Sequence, residues 1–210
     1  MTEIEAPDCH AVVYDVNVYL DVAELLGPPF SWPKFNNAAA LYQAAPLCGA
    51  DRRVDSLRAL ALATTGRFAG PQPLQVWTSD HIDGLVATKA SQPLTAEHPD
   101  DRGLGWTQEQ ATDLVEHLVW DLVFDMSGGG SLDVTTSYGS PPLSHEDGLV
   151  YRTAEQCSLE KTIRYCITND RQFRHAELPG LIDVLYPHEW ISLVRRSRFA
   201  ASAPRPRPLP

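Results

Sequence analysis

The amino-acid sequence predicts an α/β domain with a central, mainly parallel sheet flanked by helices. Short apolar runs alternate with longer segments of helical periodicity along the chain. Such alternation is typical of parallel strands joined by crossover helices, which cover both faces of the sheet. The 210 residues are 43% hydrophobic and 21% charged, which is the composition of a globular protein. One domain over residues 1–194, followed by a basic tail at 195–210, is the simplest organisation.

The first half of the chain begins with the apolar run HAVVY, a buried strand at 10–14 that ends before Asp15. A helix over 17–26 follows, and Gly27-Pro28-Pro29 stops it. Residues rich in alanine and leucine predict two more helices, at 34–47 and 53–64. After a loop with glycine and proline at 66–73, LQVWT is a second strand at 74–78. Ser79 is a good N-cap for a helix that runs to about residue 90.

The second half opens with a polar loop at 91–106. Thr107 and Gln110 form a capping-box pattern ahead of one long amphipathic helix over 107–126. A weak strand over 132–136 and a helix over 144–159 come next, and IRYCIT then predicts a strand at 163–168. LIDVL at 181–185 is a further strand, and a short helix follows Pro187. The tail alternates proline with arginine and leucine, which favours an extended, poorly packed segment.

Charge and cysteine content narrow the classes of function. The net charge of −10 argues against non-specific binding of duplex nucleic acid through a basic face. The four cysteines contain no CxxC pair, so free buried thiols are expected at positions 9, 48, 157 and 166. No apolar run reaches the roughly 18 residues of a membrane span, and the acidic N-terminus is unlike a signal peptide. A cytoplasmic location is the default expectation.

Acidic residues follow the predicted strands at several distant points of the chain. Asp15 ends the first strand, Asp170 follows IRYCIT, and Asp147 lies in the first turn of a helix. Asp80 and Asp83 are three apart in the helix after the second strand and therefore share a face. Because parallel sheets place their sites at the carboxyl ends of strands, these carboxylates are expected at one edge. Such a cluster repels itself unless a hard cation such as Mg²⁺ or Mn²⁺ binds it.

Three segments resemble the motifs of PIN-domain ribonucleases, a family that includes bacterial toxin nucleases. They are VVYDVNVYL, PPLSHEDGLVYRTAEQ and IRYCITNDRQF, and the resemblance spans about residues 10–194. It implies a three-layer PIN-like fold in which Asp15, Asp147 and Asp170 take the positions of metal-binding acids. Family members commonly carry a glutamate in the helix after the second strand. Here SDHIDGLVATKA has none, so Asp80 and Asp83 are alternative candidates for that position.

The function implied by this resemblance is a Mg²⁺- or Mn²⁺-dependent endoribonuclease. Asn17, Thr168 and Asn169 match polar residues that flank the family's acids, and Arg171 is a candidate contact for the phosphates of single-stranded RNA. Because family members often act as toxins, an antitoxin protein is a candidate partner, and a second copy of this chain is another. The alternative is a non-catalytic PIN-like module that binds RNA or protein, which the missing glutamate favours. A doubly wound nucleotide-binding protein is a weaker alternative, since no glycine-rich turn follows the first strand.

Overall fold

The structure is a computed structural model that describes residues 9–46, 51–95, 102–139, 142–157 and 162–202. Its centre is a sheet of five strands in the order β3-β2-β1-β4-β5, and every pair of neighbours is parallel. The strands are β1 Cys9–Tyr14, β2 Leu74–Ser79, β3 Gly130–Leu132, β4 Thr162–Ile167 and β5 Asp183–Leu185.

Helices connect the strands and cover the sheet. They are α1 Val16–Leu26, α2 Trp32–Leu41, α3 Arg52–Ala63, α4 Asp80–Ser91, α5 Gln108–Leu114, α6 His145–Gln156, α7 Arg171–Arg174 and α8 Pro187–Ser202. This arrangement confirms the predicted α/β class and is consistent with the expected three-layer PIN-like architecture. Among the described residues, no helix combines the length and the apolar character needed to cross a membrane.

Strand β1 lies at the centre of the sheet, and all six of its side chains are buried. Its last residue, Tyr14, is also linked to helices packed against the sheet. The indole Nε1 of Trp190 in α8 donates to the Tyr14 hydroxyl at 3.2 Å, and that hydroxyl donates to the carbonyl oxygen of Ala59 in α3 at 3.0 Å. Because each of these polar groups is buried, the bonds offset a desolvation cost and hold the end of β1 in position.

The predicted helix over 107–126 has the expected length, but its second part is a π-helix and not an α-helix. The capping box is present, since the Thr107 hydroxyl accepts from the backbone of Gln110 and the Gln110 side chain accepts from the backbone of Thr107. After Leu114 the chain continues as a π-helix over Val115–Met126. A π-helix has one more residue in each hydrogen-bonded turn than an α-helix, and an apolar stripe alone does not distinguish the two.

Two strand predictions are wrong in their boundaries. The weak strand expected at 132–136 is instead the three-residue β3, which begins at Gly130. The chain can approach β2 there because the preceding Gly129 has no side chain, and a Cβ on it would lie 1.8 Å from the carbonyl oxygen of Val76. The strand expected at 181–185 begins only at Asp183, and Leu181 is 70% exposed.

The final helix is longer than predicted, so the expectation of an extended tail is wrong for residues 195–202. Trp190, Ile191 and Val194 are fully buried and hold α8 against the core. The guanidinium of Arg198 then donates to carbonyl oxygens of Leu62 and Phe68, near the end of α3. This basic side chain is therefore part of the fold, and residues 203–210 lie outside the described residues.

The prediction of free, buried cysteines is confirmed for the three that the structure describes. Cys9, Cys157 and Cys166 are free and buried, while Cys48 lies outside the described residues. Burial raises the pKa of the Cys157 thiol to about 12, so it stays protonated at neutral pH. Nucleophilic and redox chemistry need a thiolate, so the Cys157 side chain has a packing role in the hydrophobic core.

Candidate functional site

The candidate site lies where β1 and β4 end side by side. Tyr14 pairs with Ile167, so the residues that follow them, Asp15 and Thr168, are neighbours. The backbone N–H of Asp15 donates to the carbonyl oxygen of Ile167 at 2.9 Å. The Thr168 hydroxyl donates to Oδ2 of Asp15 at 2.6 Å. Strand pairing therefore brings together two residues that are far apart in the sequence.

Side-chain amides extend this contact into a network. Nδ2 of Asn17 donates to the Asp15 carboxylate and, at 3.2 Å, to the Thr168 hydroxyl. Oδ1 of Asn17 accepts from the backbone N–H of Asn169 at 2.9 Å. Asn17 thus connects the start of α1 to the segment after β4. The three polar residues predicted around the acids, Asn17, Thr168 and Asn169, all lie here.

Asp170 closes the segment after β4 and begins α7. Its backbone N–H donates to the Thr168 hydroxyl at 2.9 Å. Its Oδ1 accepts from the backbone N–H groups of Gln172 and Phe173, which caps the short helix. Asp170 is therefore the N-cap of α7, and it is half-buried beside the end of β4. Oδ1 of Asp170 is thus occupied by hydrogen bonds from the backbone.

Asp147 reaches the same region from α6, which packs against β1, β2 and β4. Ser144 is the N-cap: its hydroxyl accepts from the backbone N–H of Asp147 at 3.0 Å and donates to Oδ2 of Asp147 at 2.8 Å. The capping interaction therefore holds the Asp147 side chain at the first turn of the helix. Its carboxylate is half-buried.

The three carboxylates act on one another electrostatically. Asp15 is 5% exposed, and its burial is the main reason that its pKa rises to about 7. The negative charges of Asp147 and Asp170 raise the pKa of Asp15 further, whereas a hydrogen bond from Thr168 lowers it. Burial also raises the pKa of Asp147, with smaller contributions from Asp170 and Glu146. Asp147 and Asp170 are therefore near enough to Asp15 for their charges to act on it.

In the described part of the chain, no arginine or lysine forms an ion pair with these acids. Within the described ranges, the ion pairs of arginine, lysine and histidine involve other acids and leave out Asp15, Asp147 and Asp170. In the same part of the chain, no group of three or more histidine, cysteine, aspartate or glutamate residues lies close enough to hold a metal ion. The carboxylates are near enough to repel one another but do not form a closed cage.

The helix after β2 does not bring its acids into contact with this set. The Thr78 hydroxyl and the Trp120 indole, the latter at 2.8 Å, both donate to Asp83. The Asp83 carboxylate therefore joins β2 to the π-helix. Asp80 is exposed in the first turn of α4. Neither residue bonds to Asp15, Asp147 or Asp170 in the portion of the chain that is described.

A second polar group borders the site and was missed by the sequence analysis. Asp21 of α1 is buried, and its Oδ2 accepts from Nδ2 of Asn169 at 2.7 Å and from the Ser56 hydroxyl at 3.0 Å. Its Oδ1 accepts from Nε of Arg52 at 3.0 Å. One signal could have revealed it: Asn17 and Asp21 are four residues apart in the helix VNVYLDVAELL, so both share one helix face.

Comparison with known proteins gives no relative for this chain. No model of a protein family matches it, and neither a curated protein nor a solved structure does. The chemistry of the site therefore has to follow from its own residues. They are one buried and two half-buried carboxylates, surrounded by amide and hydroxyl groups that fix their orientation.

Proposed function

We propose that this chain is a Mg²⁺- or Mn²⁺-dependent endoribonuclease of the PIN type. One observation carries the proposal: at the carboxyl end of the central strand the buried Asp15 accepts from Thr168 and Asn17, and the charges of Asp147 and Asp170 from distant segments act on it. Among the described residues no arginine or lysine pairs with them. A cluster of negative charge at that place in an open parallel sheet is suited to a hard divalent cation.

The donor set fits such an ion in its chemistry. Asp15, Asp147 and Asp170 are the candidate ligands, and all supply oxygen atoms. Among the described residues no three such groups lie close enough to hold one ion together. Mg²⁺ usually keeps several water molecules and is held by one or two carboxylates together with substrate phosphates, so one or two of these acids would be enough. From α4, the exposed Asp80 is the better candidate for a further ligand, because Thr78 and Trp120 already engage Asp83.

The residues of the chain would prepare the site for phosphodiester hydrolysis. When bound, a divalent ion activates water and offsets the charge that develops on phosphate oxygens. Thr168 and Asn17 hold the Asp15 carboxylate in one orientation through hydrogen bonds to Oδ2. Asn169 orients Asn17 through its backbone N–H. Arg171 is exposed next to Asp170 and can contact the backbone of single-stranded RNA.

The biological setting follows from the family resemblance alone. A toxin role with an antitoxin partner, self-association and a cytoplasmic location belong to the same proposal, and each stays a prediction. The second candidate function is a non-catalytic PIN-like module that binds RNA or protein. The absence of a closed group of metal ligands among the described residues favours this alternative.

Cleavage of a mixed RNA pool tests the proposal. The wild type should cut RNA in Mg²⁺ or Mn²⁺ and stop in EDTA. Asp15→Asn and Asp170→Asn should each lower the rate about a hundredfold or more, because even outer-shell changes at metal sites cost about 10–100-fold. Asp125→Asn is the matched control, since Asp125 is exposed at the end of the π-helix.

The outcomes separate the two candidate functions. Equal rates for the wild type and both site variants would reject a carboxylate-held metal. A folded wild type that binds RNA but cleaves none with either metal would favour the binding module.

A further inference from the structure

An open cavity of about 420 Å³ lies beside the candidate metal site. Its lining is polar and combines residues from α1, α3 and the segment after β4: Asn17, Arg52, Asn169, Asp170, Arg171 and Gln172. Asp170 lines this cavity and also acts on the charge of Asp15, so cavity and site share a wall. Two arginines, Arg52 and Arg171, and one carboxylate, Asp170, line it.

Arg52 is held in this cavity by one of its nitrogen atoms. Its Nε donates to Oδ1 of Asp21 at 3.0 Å. The Asp21 side chain is 3% exposed, whereas that of Arg52 is 68% exposed. The two terminal nitrogens of the guanidinium bond to no other described residue. A buried carboxylate therefore holds Nε of the guanidinium, while most of the Arg52 side chain is exposed.

Asp21 is itself held in place from the opposite side. Its second oxygen, Oδ2, accepts from Asn169 and Ser56, so the carboxylate cannot turn without losing one buried and one partly buried hydrogen bond. The same Asn169 binds Asn17 through its backbone. The orientation of Arg52 is thereby coupled to the residues that orient Asp15. Such pre-organisation lowers the entropy cost of binding an anion.

We propose that this cavity binds a phosphate group of single-stranded RNA, with Arg52 as its fork donor and Asp21 as the residue that positions Arg52. The inference rests on the proposed function and adds a second phosphate site beside the reacting one. A planar guanidinium matches two phosphate oxygens, which lysine cannot do. Arg171 lines the same cavity and supplies a further positive charge beside Asp170.

Binding of RNA in the absence of metal tests this site separately from cleavage. The probe is a fluorescent oligouridylate of about ten nucleotides, followed by anisotropy with the full chain in EDTA. Arg52→Ala and Arg52→Lys should each weaken binding about tenfold, the cost of one charge-assisted bidentate contact. Asp21→Ala should weaken binding in the same direction, because Arg52 keeps its charge but loses the oxygen atom that anchors its Nε.

Arg53→Ala is the matched control. Arg53 is the next residue along α3, but it pairs with Asp51 at 2.8 Å and Glu24 at 3.3 Å and does not line the cavity. Its loss should leave binding nearly unchanged. In Arg52→Ala the slope of log affinity against log salt should fall by about 0.7, the value for one contact to a single strand. In Arg52→Lys that slope should stay while the affinity falls.

Three results would overturn the assignment of the cavity. The first is equal affinity of the wild type, Arg52→Ala and Arg53→Ala for the probe. The second is a wild type that does not bind the probe. The third is displacement of the probe by an acidic peptide as effectively as by unlabelled RNA. Weaker binding by Arg52→Ala in a protein that cleaves no RNA would support the cavity and remove the nuclease proposal instead.

Discussion

Replacing Asp15 by asparagine should make the folded protein more stable at neutral pH. Burial and two neighbouring carboxylates raise the pKa of Asp15 from 3.8 to about 7. In the unfolded chain this carboxyl loses its proton near its ordinary pKa, whereas the folded state retains it up to about pH 7. The ionised side chain therefore destabilises the folded state, and stability falls as the pH rises between those two values. Asparagine carries no charge and lacks this dependence.

The pKa values set the size of the effect. Each tenfold change in proton affinity corresponds to about 1.4 kcal/mol, so the rise in the pKa of Asp15 is worth about 4 kcal/mol at neutral pH. Asparagine retains a carbonyl oxygen for the hydrogen bonds from Thr168 and Asn17, although its amide group must replace a carboxylate oxygen. A net gain of about 2–4 kcal/mol is expected, which raises the Tm by roughly 4–16 °C for a chain of this length.

Urea titrations followed by tryptophan fluorescence in EDTA measure the effect. At about pH 8 the variant should unfold at higher urea concentration than the wild type, and at about pH 4 the two curves should approach each other. Asp125→Asn, an exposed control, should show no such difference. A gain of the same size at both pH values, or none at about pH 8, would refute the reasoning that repulsion and burial of the Asp15 charge cost stability.

Two further predictions concern ligand binding and backbone packing. Mn²⁺ at a hundred times its Kd should stabilise the folded wild type by about 2.7 kcal/mol and so raise its Tm. The Tm of Asp15→Asn should rise much less. Equal Tm shifts for the two proteins in scanning calorimetry would contradict a site at Asp15. Gly129→Ala should cost about 3 kcal/mol or more in urea unfolding, because its Cβ would meet the Val76 carbonyl oxygen at 1.8 Å and no rotamer relieves a clash with backbone. Gly84→Ala, where nothing lies within 4 Å, should instead stabilise α4, by up to about 1 kcal/mol. Unfolding of both glycine variants at the same urea concentration would contradict the packing argument.

Local sequence was sufficient for the elements that form the site. The apolar run at 10–14 and the segment IRYCIT predicted the two central strands, and the boundaries differ from the structure by one residue. Burial explains this success for β1, in which all six residues are buried, and for the second half of β4. The residue after each strand could then be identified directly, which placed Asp15 and Thr168 at strand ends.

Contacts between distant segments could not be predicted in the same way. The roles of Asp83 and Asp21 depend on Trp120 and Arg52, which lie 37 and 31 residues away along the chain. The residues next to each acid in the sequence are compatible with a ligand-binding role and with a purely structural one. Only packing selects the donors that reach a carboxylate, and those donors determine whether the carboxylate remains available to a ligand.

Local patterns along the chain were enough to predict the alternation of strands and helices, the position of acids at strand ends and the excess of negative charge. Three features emerged only from the folded chain: β4 lies beside β1, the charges of Asp147 and Asp170 act on Asp15, and Arg52 borders the same site. The difference lies in the range of the forces involved. Periodicity and capping are satisfied within a few residues, whereas strand order and burial depend on how the whole chain packs.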